Sequence, residues 1–157
     1  MSDNGTPGGG PSGTEPDPTQ ADPTQPDATQ AAEALRWWIR AGVDCIEHGS
    51  LASDDTIKLM VEAGTFLVPT SYLSEGLDIS MAAPELQAKA AEVFPQAKQM
   101  LGKAIKAGVK IACGTDAPAI PHGDNAKELW AMVDRGMTPM QAIQAATVLL
   151  VDDLVNE

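Results

Sequence analysis

Two histidines make up the whole imidazole inventory of this 157-residue chain, and one of them, His48, stands in Glu47-His48-Gly49-Ser50 directly after an apolar run. Asp116 follows a second apolar run, in Gly114-Thr115-Asp116-Ala117. A neutral imidazole and a carboxylate together suit a borderline cation such as zinc, and a carboxylate can also carry a proton between reacting atoms. A catalytic zinc takes three protein ligands, and the spacing supplies two. Both residues also have ordinary structural readings: a histidine satisfied by its surroundings, and an aspartate that organises a turn before Ala117-Pro118. Cys45 and Cys113 lie far apart, belong to no CxxC pair, and read as small reduced hydrophobes rather than a staple.

These groups need elements to position them, and from residue 31 onward the chain alternates helical stretches that end in glycine with short β-rich runs. Residues 31–41 predict a helix stopped by Gly42, followed by a strand over 43–47 that ends at His48. Residues 54–63 predict a second helix with Ile57, Met60 and Val61 on one face; Gly64 stops it, and a strand over 65–68 ends at Pro69. An irregular stretch over 70–83 precedes a helix opened by Pro84, which Pro95 should kink or split before Gly108. The third strand, 109–113, leads to Asp116. Asp124 or Asn125 can start a helix that runs to Arg135, and Thr138-Pro139-Met140-Gln141 combines an N-cap, a proline at the first helical position and a glutamine at the third. Parallel strands joined by helices gather reactive groups at their C-terminal ends, where both His48 and Asp116 fall.

Composition narrows the partners. The formal net charge is -12, with 22 acidic against 10 basic residues, so there is no basic stripe to release counterions from nucleic acid or to meet an anionic membrane. The longest apolar run of the last helix, Val148-Leu149-Leu150-Val151, is far short of the roughly 18–20 residues of a bilayer span. Residues 1–30 hold five of the acids, no lysine or arginine, and the near-repeat Asp17-Pro18-Thr19-Gln20, Asp22-Pro23-Thr24-Gln25, Asp27-Ala28-Thr29-Gln30; they read as a disordered solvated spacer. The start of the chain lacks the basic and apolar segments of a secretory signal, which with two cysteines that form no CxxC pair fits a cytoplasmic setting.

Several blocks, in order, resemble one family. Ala41-Gly42-Val43-Asp44-Cys45-Ile46-Glu47-His48-Gly49-Ser50, then Gly64-Thr65-Phe66-Leu67-Val68-Pro69-Thr70, Gly114-Thr115-Asp116-Ala117 and Pro121-His122-Gly123-Asp124-Asn125-Ala126-Lys127-Glu128-Leu129 are similar to the amidohydrolase superfamily, in its imidazolonepropionase-like and prolidase-like branch. Gly136-Met137-Thr138-Pro139-Met140-Gln141-Ala142-Ile143 resembles that branch's final barrel helix, and the likeness spans about residues 33 to 151. It implies an α/β fold, the last three strands and helices of a (β/α)8 barrel. It also implies a divalent metal, zinc by preference, with His48 at the end of the sixth strand as ligand and Asp116 at the end of the eighth as ligand and proton shuttle. The implied reaction is hydrolysis of an amide or other C–N bond in a small or dipeptide-like substrate by a metal-activated water. His122 and Tyr72 fall where family members shape the substrate pocket; loop packing is the alternative for each.

The departures matter equally. The family's first-strand His-x-His pair, its bridging fourth-strand residue and its fifth-strand histidine have no counterpart, because His48 and His122 are the only histidines. Three strands cannot close an eight-stranded barrel of about 250 residues. The expectation is therefore a piece of a hydrolase barrel, inactive alone. The alternative is a noncatalytic α/β fragment that acts by self-association or by completing a barrel with another chain, as open sheet edges invite. Of Trp37 and Trp38, at least one is expected to pack on the sheet.

Overall fold

The computed structural model describes residues 28–148; the near-repeat tail lies, apart from its last three residues, outside the described residues. The elements run α1 (Ala28–Arg40), β1 (Cys45–Glu47), α2 (Asp54–Ala63), β2 (Phe66–Val68), α3 (Leu73–Gly76), α4 (Pro84–Ala107), β3 (Lys110–Ile111), α5 (Lys127–Asp134) and α6 (Pro139–Ala145). The three strands form one parallel sheet in the order β1-β2-β3, with Cys45 opposite Phe66 and Phe66 opposite Lys110. The strands are short, but the Phe66 N–H donates to Asp44 O at 2.8 Å and the Ala112 N–H to Leu67 O at 3.0 Å, so the pairing with β2 continues one residue before β1 and one after β3.

Strand alternation divides the core. Ile46, Leu67 and Ile111 share one buried cluster with Ile39 of α1, Ile57 and Met60 of α2, Met100 and Leu101 of α4, Met132 of α5 and Ala142 of α6. Phe66, Val68 and Ala112, on the opposite parity, form a separate small cluster. The long helices thus cover one face of the sheet, and burying a side chain such as the fully enclosed Leu67 contributes about 1.5–3 kcal/mol.

The helix signals of α2 and α6 work as local chemistry dictates, whereas α5 starts at Lys127 after Ala126, with no side-chain cap from Asp124 or Asn125. Ser53 caps α2 by accepting the Thr56 N–H at 3.2 Å, and Gly64, at φ +74°, turns the chain out of it. Thr138 and Gln141 form the reciprocal capping box of α6, with Pro139 at its first turn. α1 begins at Ala28, where the near-repeat loses its proline. Four other expectations need correction. α4 is one uninterrupted helix through Pro95; Pro95 and Ala91, whose carbonyl loses its bond, both lie on the exposed face, which is open to solvent. The stretch after β2 is not wholly irregular, since α3 forms there. Val61 is 42% exposed, because α2 turns Thr56, Ile57 and Met60 inward instead. Trp37 and Trp38 are 72% and 52% exposed: the inward stripe of α1 is Ala32, Leu35 and Ile39, and no described strand lies beyond β1 to receive the indoles.

Candidate functional site

Parallel register sets the C-terminal ends of all three strands along one edge, and each end leads into a non-glycine residue with left-handed backbone. These are His48 at φ +60° after β1, Thr70 at φ +45° after β2 and Asp116 at φ +51° after β3. Such φ values are uncommon outside glycine, least so for aspartate and histidine, and a clear outlier for β-branched threonine. Strain of this kind persists only where the surroundings impose it, and it concentrates at functional sites.

The surroundings are identifiable. The His48 N–H donates to Val68 O at 2.8 Å, extending the ladder one step past β1, and its ring Nδ1 lies 2.5 Å from Thr70 Oγ1. The Ala119 N–H donates to Asp116 O at 2.8 Å and closes a turn that carries the aspartate. Gly114 permits the approach of β2, since a Cβ there would overlap Val68 Cγ1. The segment after β2 is gripped from α5: the Ser71 and Tyr72 N–H groups each donate to the Glu128 carboxylate at 2.7 Å. Glu128 is fully buried, and burial pushes its carboxyl above the ordinary range despite those two donors. Burial also raises the Cys113 thiol to about 11, with the nearby Glu128 charge adding to the effect. Cys45 is not the packed hydrophobe expected of it: it lies on the exposed parity of an edge strand, its thiol donating to Glu47 Oε1 at 2.8 Å.

A second polar group braces the same loop. Arg135, almost wholly buried, donates to Glu75 and to Ser74 Oγ, both in α3. Burial acts to raise the Glu75 carboxyl, but donors from Lys98, Ser74 and Arg135 outweigh it and hold the group below its ordinary value.

His48 lines a cavity of about 60 Å³ with Pro69, Thr70, Phe94, Lys98 and Leu101. Asp116, Tyr72 and His122 do not line it. The His48 and Asp116 side chains are both exposed at the strand-end edge. Tyr72 is half-buried, with Lys127 Nζ 5.4 Å from its ring centroid, and His122 is exposed in the turn before α5. Two contributors were absent from the sequence reading. Glu128 left a signal, because it shares the buried face of α5 with Ala131, Met132 and Arg135 at helical spacing, an acid and a base within an apolar stripe. Thr70 left none, since its importance lies in its backbone angle and its bond to His48.

Residues 28–149 match the family model described as the Amidohydrolase family. That family generally binds divalent metals, yet among the described residues no group of three or more His, Cys, Asp or Glu side chains is arranged to hold one. His48 and Asp116 are two donors of suitable chemistry, one short of a catalytic zinc's three protein ligands, so the described residues alone do not make up a metal centre. Nor is any described helix long and apolar enough to cross a membrane. An uncharacterized protein of Mycobacterium tuberculosis is 40% identical over 119 residues, which are 73% of this chain and 32% of that protein. Ochratoxinase of Aspergillus niger is 39% identical over 116 residues, 69% of this chain and 23% of its own length. Among solved structures, a Xaa-Pro dipeptidase with methionine bound in its active site is 43% identical with a TM-score of 0.69, over 78% of this chain and 32% of that one. The A. niger ochratoxinase structure is 40% identical with a TM-score of 0.61, over 73% and 26%. The chain therefore spans about a third or less of these relatives, and the agreement of sequence and fold along most of its own length makes it a member of the amidohydrolase family.

Proposed function

We propose that this chain is the last three strand-and-helix units of a (β/α)8 hydrolase barrel, acting at the family level on amide or other C–N bonds. The observation that carries the reading is the row of left-handed, non-glycine residues at three successive strand ends, two of them the metal- and proton-handling types His48 and Asp116. Asp116 takes a proton from the attacking water and passes it to the departing nitrogen. His48 is a metal ligand, and Tyr72 and His122 border the substrate. The substrate is a small amide or dipeptide-like molecule, in keeping with the dipeptidase and ochratoxinase relatives. A divalent metal, zinc by preference, needs donors beyond His48 and Asp116, so this chain alone is inactive. The test measures bound zinc and hydrolysis of N-acyl and Xaa-Pro substrates. Stoichiometric zinc and turnover by the chain alone, abolished by Asp116→Asn, would overturn its inactivity. Activity that appears only when a chain bearing the other strands is added, and disappears with Asp116→Asn, supports the whole reading.

The exposed Trp37 and Trp38 on α1 and Met140 and Ile143 on α6 favour a second reading, an interaction fragment that covers these faces by association. Light scattering after size exclusion separates the two, since a well-folded monomer at micromolar concentration counts against self-association.

A further inference from the structure

Thr70 Oγ1 makes two hydrogen bonds and owns one hydrogen. Its hydroxyl donates to the Pro69 carbonyl at 2.8 Å, so in the 2.5 Å contact with His48 the same oxygen must accept. The donor is then the N–H at His48 Nδ1, and in the neutral ring the lone pair resides on Nε2. We propose that Thr70 is a positioning residue that fixes His48 as the Nδ1–H tautomer and so leaves the ring's lone pair on Nε2.

The backbone around Thr70 serves this arrangement. At φ +45° a threonine adopts a conformation its β-branched side chain disfavours, and the residue is 5% exposed, so its neighbours impose the angle. Glu128 holds the next two N–H groups, those of Ser71 and Tyr72, and the Leu73 N–H donates to Thr70 O at 3.2 Å. On the other side the His48 N–H is tied to Val68 O. Imidazole and hydroxyl therefore meet between two anchored strand ends, and a hydrogen bond to one ring nitrogen selects which atom remains for a ligand. This deepens the assignment of His48 as a ligand, but the tautomer is a property of the chain without metal and is tested separately.

The experiment is a long-range ¹H–¹⁵N correlation spectrum of the full ¹⁵N-labelled chain, without added metal, at alkaline pH where imidazoles are neutral. The chain has two histidines, and His122→Asn assigns the pair. The expected result is a protonated-type ¹⁵N shift at His48 Nδ1 and an unprotonated-type shift at Nε2, the reverse of the Nε2–H preference of a free imidazole side chain. Thr70→Ser, which keeps the hydroxyl, preserves this pattern, and Thr70→Val, which keeps the branched shape, reverts it toward Nε2–H. Nε2–H dominance in the wild type overturns the proposal, as does an unchanged Nδ1–H pattern in a folded Thr70→Val variant. Should the valine variant unfold, the wild type and Thr70→Ser decide, and Nε2–H dominance in either overturns it. Asp116→Asn leaves the tautomer unchanged, so loss of hydrolysis in a complemented barrel reports on the proposed function and not on the Thr70–His48 contact.

Discussion

Replacing Glu128 with alanine removes the acceptor of two backbone donors at once. The Ser71 and Tyr72 N–H groups each lie 2.7 Å from a carboxylate oxygen, and a donor left unsatisfied costs about 1–3 kcal/mol. The gross loss is thus about 2–6 kcal/mol, and water reaching the half-buried ends of Ser71 and Tyr72 together with relief of the buried charge reduces it to about 2–4 kcal/mol. Glu128→Gln keeps one acceptor and turns an NH2 toward the other donor, for an expected loss of about 1–3 kcal/mol. The pH dependence has a definite sign. Burial raises the folded-state value of Glu128 above the ordinary 4.5, so its stabilising protonation is complete below 4.5 and is lost as pH rises through the folded-state value. Lowering pH from neutral toward 4.5 therefore stabilises the wild type relative to Glu128→Gln, while other groups cancel in the difference. Urea unfolding followed by circular dichroism at several pH values measures both effects. An alanine variant within about 0.5 kcal/mol of wild type, or parallel pH profiles for wild type and glutamine variant, would refute the argument.

Three further outcomes are expected. Glu75→Ala takes one of two carboxylates from the nearly buried Arg135 guanidinium, which keeps Asp134 at 3.3 Å, and lowers unfolding stability by about 1–3 kcal/mol, less than the roughly 3–5 kcal/mol of a fully enclosed pair that loses its only partner. Because its neighbours hold Glu75 below 4.5, its contribution is present above that value and fades as pH falls through the lowered one; denaturation at pH 7 and pH 3 reads the difference. Iodoacetamide at pH 8 should modify Cys45 at least tenfold faster than Cys113, whose thiol is raised to about 11 and half-buried; equal rates by peptide mass spectrometry would be contrary. Gly114→Ala drives a Cβ into Val68 Cγ1 beside Asp116 and should cost about 1–3 kcal/mol in thermal unfolding, whereas an unshifted melting curve would show that β2 yields freely.

Much of the scaffold was readable because its signals are local. Gly64 and Gly108 stop helices through their own left-handed angles, at φ +74° and +85°, and the capping box of α6 is written within four consecutive residues. Where neighbours distant in sequence decide, local reading fails. The indoles of Trp37 and Trp38 have the size of core residues, but their place depends on whether a strand lies beyond β1. Proline at position 95 breaks a helix only when the freed carbonyl has no substitute partner, and an exposed face is open to solvent.

At the site the same division holds. Side-chain type and position after an apolar run were enough to single out His48 and Asp116, since imidazole and carboxylate chemistry is intrinsic to the residue and parallel strands gather their ends on one edge. Tertiary structure alone brought Thr70 to His48 across 22 residues and Glu128 to Ser71 across 57. Hydrogen bonds between strand ends and a distant helix depend on register and crossover geometry, which no local pattern encodes, and those bonds decide how the imidazole is held.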